Sequence, residues 1–131
     1  MVNAAGHNAN FLLNIGPMPN GKIQSEFVDT LKEMGNWLNQ YGESIYSTRG
    51  NIIAPQDWGV VTAKDKLLFA HILRKPSAVY IFIPIQQKIN KVLLMANKKE
   101  LKFKQQPEGI FIYTDGITWN DTDTVIRLQL Q

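Results

Sequence analysis

A single β-α pattern in residues 10–49 limits what this chain can fold into. Residues 11–15, F-L-L-N-I, form a short apolar run that is typical of a strand covered on both faces, as in parallel α/β sheets. A turn follows, because Pro17 and Pro19 fix the backbone and Asn20-Gly21 readily adopts positive φ. A β-α unit buries its faces only against neighbouring strands and helices, and no second unit follows. Either the neighbours belong to a longer protein, or the helix covers another surface.

An amphipathic helix is predicted after this turn. Ser25 is a suitable N-cap, and Gly42 is the expected C-terminal stop. Apolar residues recur three and four positions apart and form one stripe, the helix stripe: Phe27, Val28, Leu31, Met34, Gly35 and Leu38. Such a stripe is too large to face water on a monomer. We therefore expect it to pack on the rest of the chain or against a second copy, with Gly35 allowing another backbone to come close.

After residue 51 the sequence changes to short apolar segments with turn signals at roughly 8–12-residue spacing, which is typical of a sandwich or barrel. In the last segment Ile126, Leu128 and Leu130 alternate with polar residues, so one face is buried. The predicted strands are residues 59–63, 67–73, 78–83, 91–95, 101–105, 109–113 and 124–130. We predict a mainly β fold, with an antiparallel β-sandwich over residues 51–131 preceded by one β-α unit in residues 1–50. Residues 1–9 lack periodicity and are expected to be a flexible lead-in.

Residues 10–49 also carry a longer motif. It consists of N-F-L-L-N-I-G-P from Asn10, Asn20-Gly21, L-x-x-M-G-x-W-L from Leu31, and Y-G-E-x-I-Y-x-T-R from Tyr41. This motif is similar to the end of the catalytic barrel in the α-L-fucosidases of glycoside hydrolase family 29. The resemblance implies that residues 1–50 are the last strand and helix of a TIM-type barrel, and that residues 51–131 correspond to the C-terminal β-sandwich of the family.

The resemblance also implies the chemistry of a parent protein, a retaining glycosidase acting on α-L-fucosides with two carboxylates about 5–5.5 Å apart. The nucleophile, the acid/base and the sugar-binding residues of the family come from earlier barrel strands, so none is carried onto this chain. We expect the chain to be inert and structural, with the helix stripe contacting the rest of a barrel or a second copy. The resemblance suggests a periplasmic, secreted or lysosomal location.

No catalytic or metal site is predicted from the residues themselves. Glu26, Asp29 and Glu33 share the polar side of the helix, where a solvated face is the simpler interpretation. His7 and His71 are isolated in sequence, and the chain has no cysteine. A metal site needs three or four ligands, so we expect neither a metal nor a cofactor, with His7 in a loop and His71 on a strand face.

Three aromatic residues are candidates for carbohydrate binding: Trp119, Tyr113 and Trp58. Flat aromatic rings stack on sugar faces, although aromatic residues also serve as packing residues in sheets. Trp119 is the best candidate because it lies in the polar loop of residues 115–123. The alternative hypothesis is therefore a free-standing carbohydrate-binding β-sandwich module, with a glycan as its partner.

The formal net charge of +3 comes from a lysine cluster: residues 88–104 contain six lysines and a single acid, Glu100. Two of these lysines, Lys102 and Lys104, alternate with Leu101 and Phe103, a pattern that protects an edge strand from unwanted pairing. We therefore expect no nucleic-acid partner. The longest apolar run spans residues 78–85, far short of the ~20 residues that cross a bilayer, so no membrane partner is expected, and no signal peptide is visible.

Overall fold

The computed structural model describes residues 1–131. Two helices come first, α1 (Val2–Gly6) and α2 (Ser25–Tyr41), and a 3₁₀ turn over Gly42–Ser44 follows α2 directly. Seven strands complete the chain: β1 (Gly59–Lys64), β2 (Leu67–Ile72), β3 (Tyr80–Ile83), β4 (Ile89–Leu94), β5 (Phe103–Gln106), β6 (Gly109–Tyr113) and β7 (Thr124–Leu130). All seven strands predicted for residues 51–131 are confirmed. No helix combines the length and the apolar character needed to cross a membrane.

The strands form two antiparallel sheets that share one apolar core. The four-stranded sheet has the order β1-β2-β7-β4, and the three-stranded sheet has the order β3-β6-β5. Residues from both sheets meet in a cluster of 17 buried side chains, in which Ala70 and Ile126 come from the first sheet and Ile81 and Ile112 from the second. Period-two alternation along the strands places these residues on the inner faces. The predicted antiparallel β-sandwich is thereby confirmed.

The strand predicted at residues 11–15 does not form. These residues lie in a segment without helix or strand, and Leu12 is 91% exposed. A strand covered on both faces requires parallel neighbours that pair with its backbone, and this chain supplies none. The prediction from local sequence was therefore wrong for this chain.

The expectation that residues 1–9 are a flexible lead-in was also wrong. Helix α1 packs against β1 so closely that a Cβ on Gly6 would lie 2.3 Å from Val60 Cβ. The backbone N–H of Asn51 donates to Gly6 O at 2.8 Å. Small residues at the C-terminal end of α1 permit this approach, and they fix the N-terminus on the sandwich.

Helix α2 is confirmed, with one correction at its N-terminus. It begins at Ser25, and Gln24 occupies the N-cap position, so Ser25 is not the cap. Gly42 ends the helix as expected. The helix contacts the sandwich through Trp37 and Tyr41, which pack with residues of the four-stranded sheet, whereas Phe27 in the helix stripe is exposed.

The helix stripe therefore does not provide the main contact with the sandwich. At 100° per residue, the stripe is centred roughly 90° around the helix from Trp37 and Tyr41. A Cβ on Gly35 would meet no atom within 4 Å, so no backbone of this chain approaches it there.

The connection between α2 and the sandwich is itself tied to β1. Arg49 and Ala63 exchange two backbone hydrogen bonds of 2.8 Å each. This pairing lies beside residue 50, where the sequence predicts the boundary between a unit of residues 1–50 and a domain of residues 51–131. That division stays a prediction.

Candidate functional site

A buried polar cluster lies at the junction between α2 and the four-stranded sheet. Along β2, Leu68 and Ala70 face the main core, so the alternation turns Phe69 and His71 toward α2. His71 and Asp123 are both fully buried, and His71 Nδ1 donates to Asp123 Oδ2 at 2.8 Å. The junction thus contains a buried hydrogen bond between a histidine and a carboxylate.

A chain of hydrogen bonds continues from His71 to the end of α2. His71 Nε2 lies 3.3 Å from Thr62 Oγ1, and the Thr62 hydroxyl donates to Ser44 O at 2.6 Å. The Ser44 hydroxyl in turn donates to Tyr41 O at 2.6 Å. Because the hydrogen of Thr62 is committed to Ser44, the Thr62 oxygen presents a lone pair to His71 Nε2. The network links β1, β2 and the residue before β7 to the C-terminus of α2.

The phenol of Tyr41 belongs to the same junction. Burial and, next, the negative charge of Asp123 raise the pKa of Tyr41, and a hydrogen bond with the Gln40 side chain partly offsets these effects. Tyr41 packs with Phe69 and Val125 in a small apolar cluster, and its ring lies 5.3 Å from that of Trp37. The neutral phenol is therefore the form that the folded chain favours.

Two buried polar atoms at this junction have no hydrogen-bond partner within the chain, Trp37 Nε1 and Asp123 Oδ1. Both residues line the same cavity of about 520 Å³ between α1, α2 and the sandwich. The second oxygen of Asp123 is satisfied by His71, so the carboxylate is half paired. Such atoms are uncommon in folded proteins, and here they mark the contact between the helical and β parts.

The three predicted sugar-binding residues are not brought together. Trp58 is only 9% exposed and belongs to the main core, so its ring offers little surface to a ligand. Trp119 is half-buried and lines a groove of about 200 Å³ together with Asn97, Thr118 and Asn120. Tyr113 lies on another surface, at the end of β6 opposite Tyr80. Carbohydrate binding by these residues stays a prediction.

The acidic residues and the histidines singled out from the sequence do not form a common site. Glu26, Asp29 and Glu33 are exposed on α2, and Asp29 lies 3.6 Å from Lys32. His7 is exposed and bonds within its own turn. No group of three or more His, Asp or Glu side chains is arranged to hold a metal ion. Sequence reasoning missed the partner of His71, because Asp123 is 52 positions away and no local pattern links the two.

Comparisons with known proteins place the chain among glycoside hydrolases. The family model described as alpha-L-fucosidase matches residues 1–43. Plasma alpha-L-fucosidase of Homo sapiens is 33% identical over 88 residues, which cover 63% of this chain and 19% of that protein. Tissue alpha-L-fucosidase of Bos taurus is 30% identical over 112 residues, which cover 83% of this chain and 24% of that protein.

A solved structure covers nearly all of the fold described above. Alpha-L-fucosidase isoenzyme 1 from Paenibacillus thiaminolyticus matches 99% of this chain with a TM-score of 0.86 and 29% identity, and the match covers 32% of that chain. This chain therefore spans between about a fifth and a third of the length of these relatives. From the sequence motif, the family match and the shared fold, the chain belongs to the α-L-fucosidases of glycoside hydrolase family 29 and corresponds to the C-terminal portion of their fold.

Proposed function

We propose that this chain is the structural C-terminal part of a retaining α-L-fucosidase and has no catalytic activity of its own. The mechanism requires a nucleophilic carboxylate and an acid/base carboxylate at about 5–5.5 Å. Asp123 is the only acidic residue that is buried, and it is paired with His71. The acids of α2 are exposed to solvent. These observations favour a supporting role, with α-L-fucosides as the substrates of the whole protein.

One segment of the chain, residues 11–27, carries this proposal, and we call its exposed apolar residues the apolar face. It consists of five large apolar residues that are between 42% and 91% exposed: Phe11, Leu12, Leu13, Ile23 and Phe27. All five lie in the part of the chain that the family model matches. Full burial of such a side chain stabilises a protein by about 1.5–3 kcal/mol, so a face of this kind favours contact with other protein. Neighbouring strands and helices of a barrel would provide that contact.

Helix α2 would then connect two parts of the protein. Its Trp37 and Tyr41 side packs on the four-stranded sheet, while Phe27 and the N-terminal part of the helix stripe are left for the barrel. The hydrogen bonds from His71 through Thr62 to Ser44 hold the end of the helix in place. In this arrangement the sandwich braces the last helix of the barrel from outside.

Turnover of an aryl α-L-fucoside by the purified chain tests the inert part of this proposal. The expected result is release of the aryl alcohol no faster than in buffer, while a complete α-L-fucosidase in a parallel reaction consumes the substrate. Turnover that scales with the concentration of the chain and follows the chain through two different chromatography steps would overturn it.

A carbohydrate-binding module is the second candidate, and the position of Trp119 favours it. The ring borders a groove with the polar side chains of Asn97, Thr118 and Asn120. Titration with fucosylated and plain oligosaccharides, followed by tryptophan fluorescence, should then give a saturating change that Trp119→Ala removes. A flat titration, or a response that survives the substitution, rejects this site.

A further inference from the structure

The outer surface of the three-stranded sheet carries four aromatic side chains next to one another. Along β3 and β6 the isoleucines point into the core, so the residues between them point outward. Tyr80 lies opposite Tyr113, and Phe82 lies opposite Phe111. The Phe111 ring centroid is 5.4 Å from that of Tyr80 and 4.8 Å from that of Phe82. We call these four residues the aromatic sheet face.

Two lysines extend the aromatic sheet face on the neighbouring strand. Lys104 lies opposite Phe111, and Lys102 O accepts a hydrogen bond from Tyr113 N at 2.9 Å. Leu101 is buried and Phe103 packs against the core, so Lys102 and Lys104 are on the outer side. Both are exposed, and neither forms an ion pair. Each aromatic pair therefore ends in an unpaired positive charge.

The aromatic sheet face lies away from the proposed barrel contact. Helix α2 packs on the outer side of the four-stranded sheet, and the main core separates that sheet from β3, β6 and β5. The face is thus on the opposite side of the sandwich from α2. Contact between α2 and a barrel would leave this surface open to solvent.

The aromatic sheet face is partly exposed to solvent. Cross-strand aromatic pairs do stabilise sheets, but here Tyr80 is 41% and Tyr113 is 37% exposed. An exposed apolar surface with a charged border is typical of an interaction site. Lys102 and Lys104 give this surface a positive charge. Neither Tyr80 and Tyr113 nor Phe82 and Phe111 have a carboxylate beside them on the neighbouring strands.

We propose that the aromatic sheet face, with Lys102 and Lys104, binds an anionic polysaccharide. Tyrosine rings stack on the C–H faces of sugar rings, and the two ammonium groups pair with sulfate or carboxylate groups on the polymer. The choice of a polysaccharide as ligand rests on the membership of the chain in a glycoside hydrolase family. A single-stranded nucleic acid also combines flat rings with negative charge, and the experiment below separates the two.

Native gel electrophoresis of the full chain, in gels that contain a soluble polymer, tests the proposal. Dextran sulfate supplies sulfate groups, polygalacturonate supplies carboxylates, and dextran is the neutral control. The expected result is strong retardation of the chain by at least one of the two anionic polymers and weaker retardation by dextran. The comparison of the two anionic gels identifies which anion the lysines prefer.

Paired variants assign the binding to this surface. Tyr80→Ala/Tyr113→Ala and Lys102→Gln/Lys104→Gln should each weaken binding by about tenfold. The control Lys64→Gln/Lys66→Gln removes the same charge from the end of β1 and the adjoining turn and should retain the affinity of the native chain. Thermal unfolding of each variant verifies that the fold is kept.

Three results would overturn the proposal. They are no retardation by either anionic polymer, equal loss of binding in both lysine variants, and tighter binding of a 12-nucleotide oligothymidylate than of either polysaccharide. None of these measurements involves α2 or the apolar face. The proposal can therefore fail while the supporting role of the chain stands, and the reverse also holds.

Discussion

His71 Nδ1 donates to Asp123 Oδ2 at 2.8 Å, although the two residues lie 52 positions apart in the chain. The pair joins β2 to the residue before β7, and the His71 ring centroid lies 6.4 Å from that of Trp37. The hydrogen bond from Thr62 to Ser44 extends the link to the end of α2. This polar junction, together with the packing of Tyr41, connects the helical part to the sandwich.

Removal of Asp123 should destabilise the fold strongly. Asp123→Ala leaves His71 Nδ1 buried without its partner, and an unsatisfied buried polar group costs about 1–3 kcal/mol. Urea unfolding followed by tryptophan fluorescence measures the change. Asp121→Ala, an exposed neighbour, should stay within about 0.5 kcal/mol of the native chain. Similar values for the two variants would contradict the importance assigned to the pair.

The raised pKa of Tyr41 predicts a loss of stability at high pH. The unfolded chain releases the phenol proton near pH 10, whereas the folded chain retains it, so the unfolded state binds fewer protons above that pH. The contribution of Tyr41 is therefore fully present below about pH 10 and is lost as the pH rises toward the higher folded pKa. Between pH 8 and 11, the unfolding free energy of Tyr41→Phe should therefore fall less steeply with rising pH than that of the native chain. Tyr46→Phe, at a well-exposed ring, is the control and should follow the native slope.

Two glycine substitutions should have opposite effects on stability. A Cβ on Gly50 would lie 2.2 Å from Ala5 O and 2.4 Å from Gly6 O, so Gly50→Ala forces α1 away from the sandwich and should cost about 1–3 kcal/mol. Gly35 lies in α2 with no atom within 4 Å of a Cβ, so Gly35→Ala should stabilise the helix by up to about 1 kcal/mol. Differential scanning calorimetry measures whether each substitution raises or lowers the stability of the chain. A Gly50→Ala chain as stable as the native one would remove the evidence that α1 is docked.

The apolar face should make the chain associate with itself at high concentration. Leu12→Ser/Phe27→Ser removes two large apolar groups that are exposed, so it should reduce association without lowering the melting temperature. Sedimentation velocity over a range of concentrations measures the effect. Val79→Ser is the control, since Val79 is 63% exposed in another part of the surface, just before β3. An equal reduction in both variants would show that the apolar face has no special tendency to bind protein.

The sandwich could be predicted well from sequence because its strands carry their own signals. Alternation places one face of each strand inside, and turn residues separate the strands, so neither requires knowledge of distant partners. Helix α2 was predictable for the same reason. The aromatic sheet face had a signal too, since Y-I-F-I at residues 80–83 and I-F-I-Y at residues 110–113 alternate aromatic with aliphatic residues. Tyr113 was a candidate from the sequence but its neighbours were not, because local patterns do not give the register between β3 and β6.

The failures of sequence reasoning arise where structure depends on partners far along the chain or outside it. Residues 11–15 have the composition of a buried strand, but a strand forms only beside another strand. Helix α1 is too short to show periodicity, and its position depends on the contact of Gly6 with Val60. The pairing of His71 with Asp123 results from the order of strands in the sheet, which no local pattern records. Likewise, the stripe on α2 predicted a contact surface but not which side faces the sandwich.

The coding DNA directly upstream of the codon for Met1 tests the central claim most directly. If the chain is the supporting part of an α-L-fucosidase, the reading frame should continue upstream through several hundred codons that encode the earlier strands and helices of a barrel, including a nucleophilic and an acid/base carboxylate. An in-frame stop codon immediately upstream, with no barrel-coding sequence beyond it, would contradict the claim and leave the binding surfaces of the sandwich as the basis of its function.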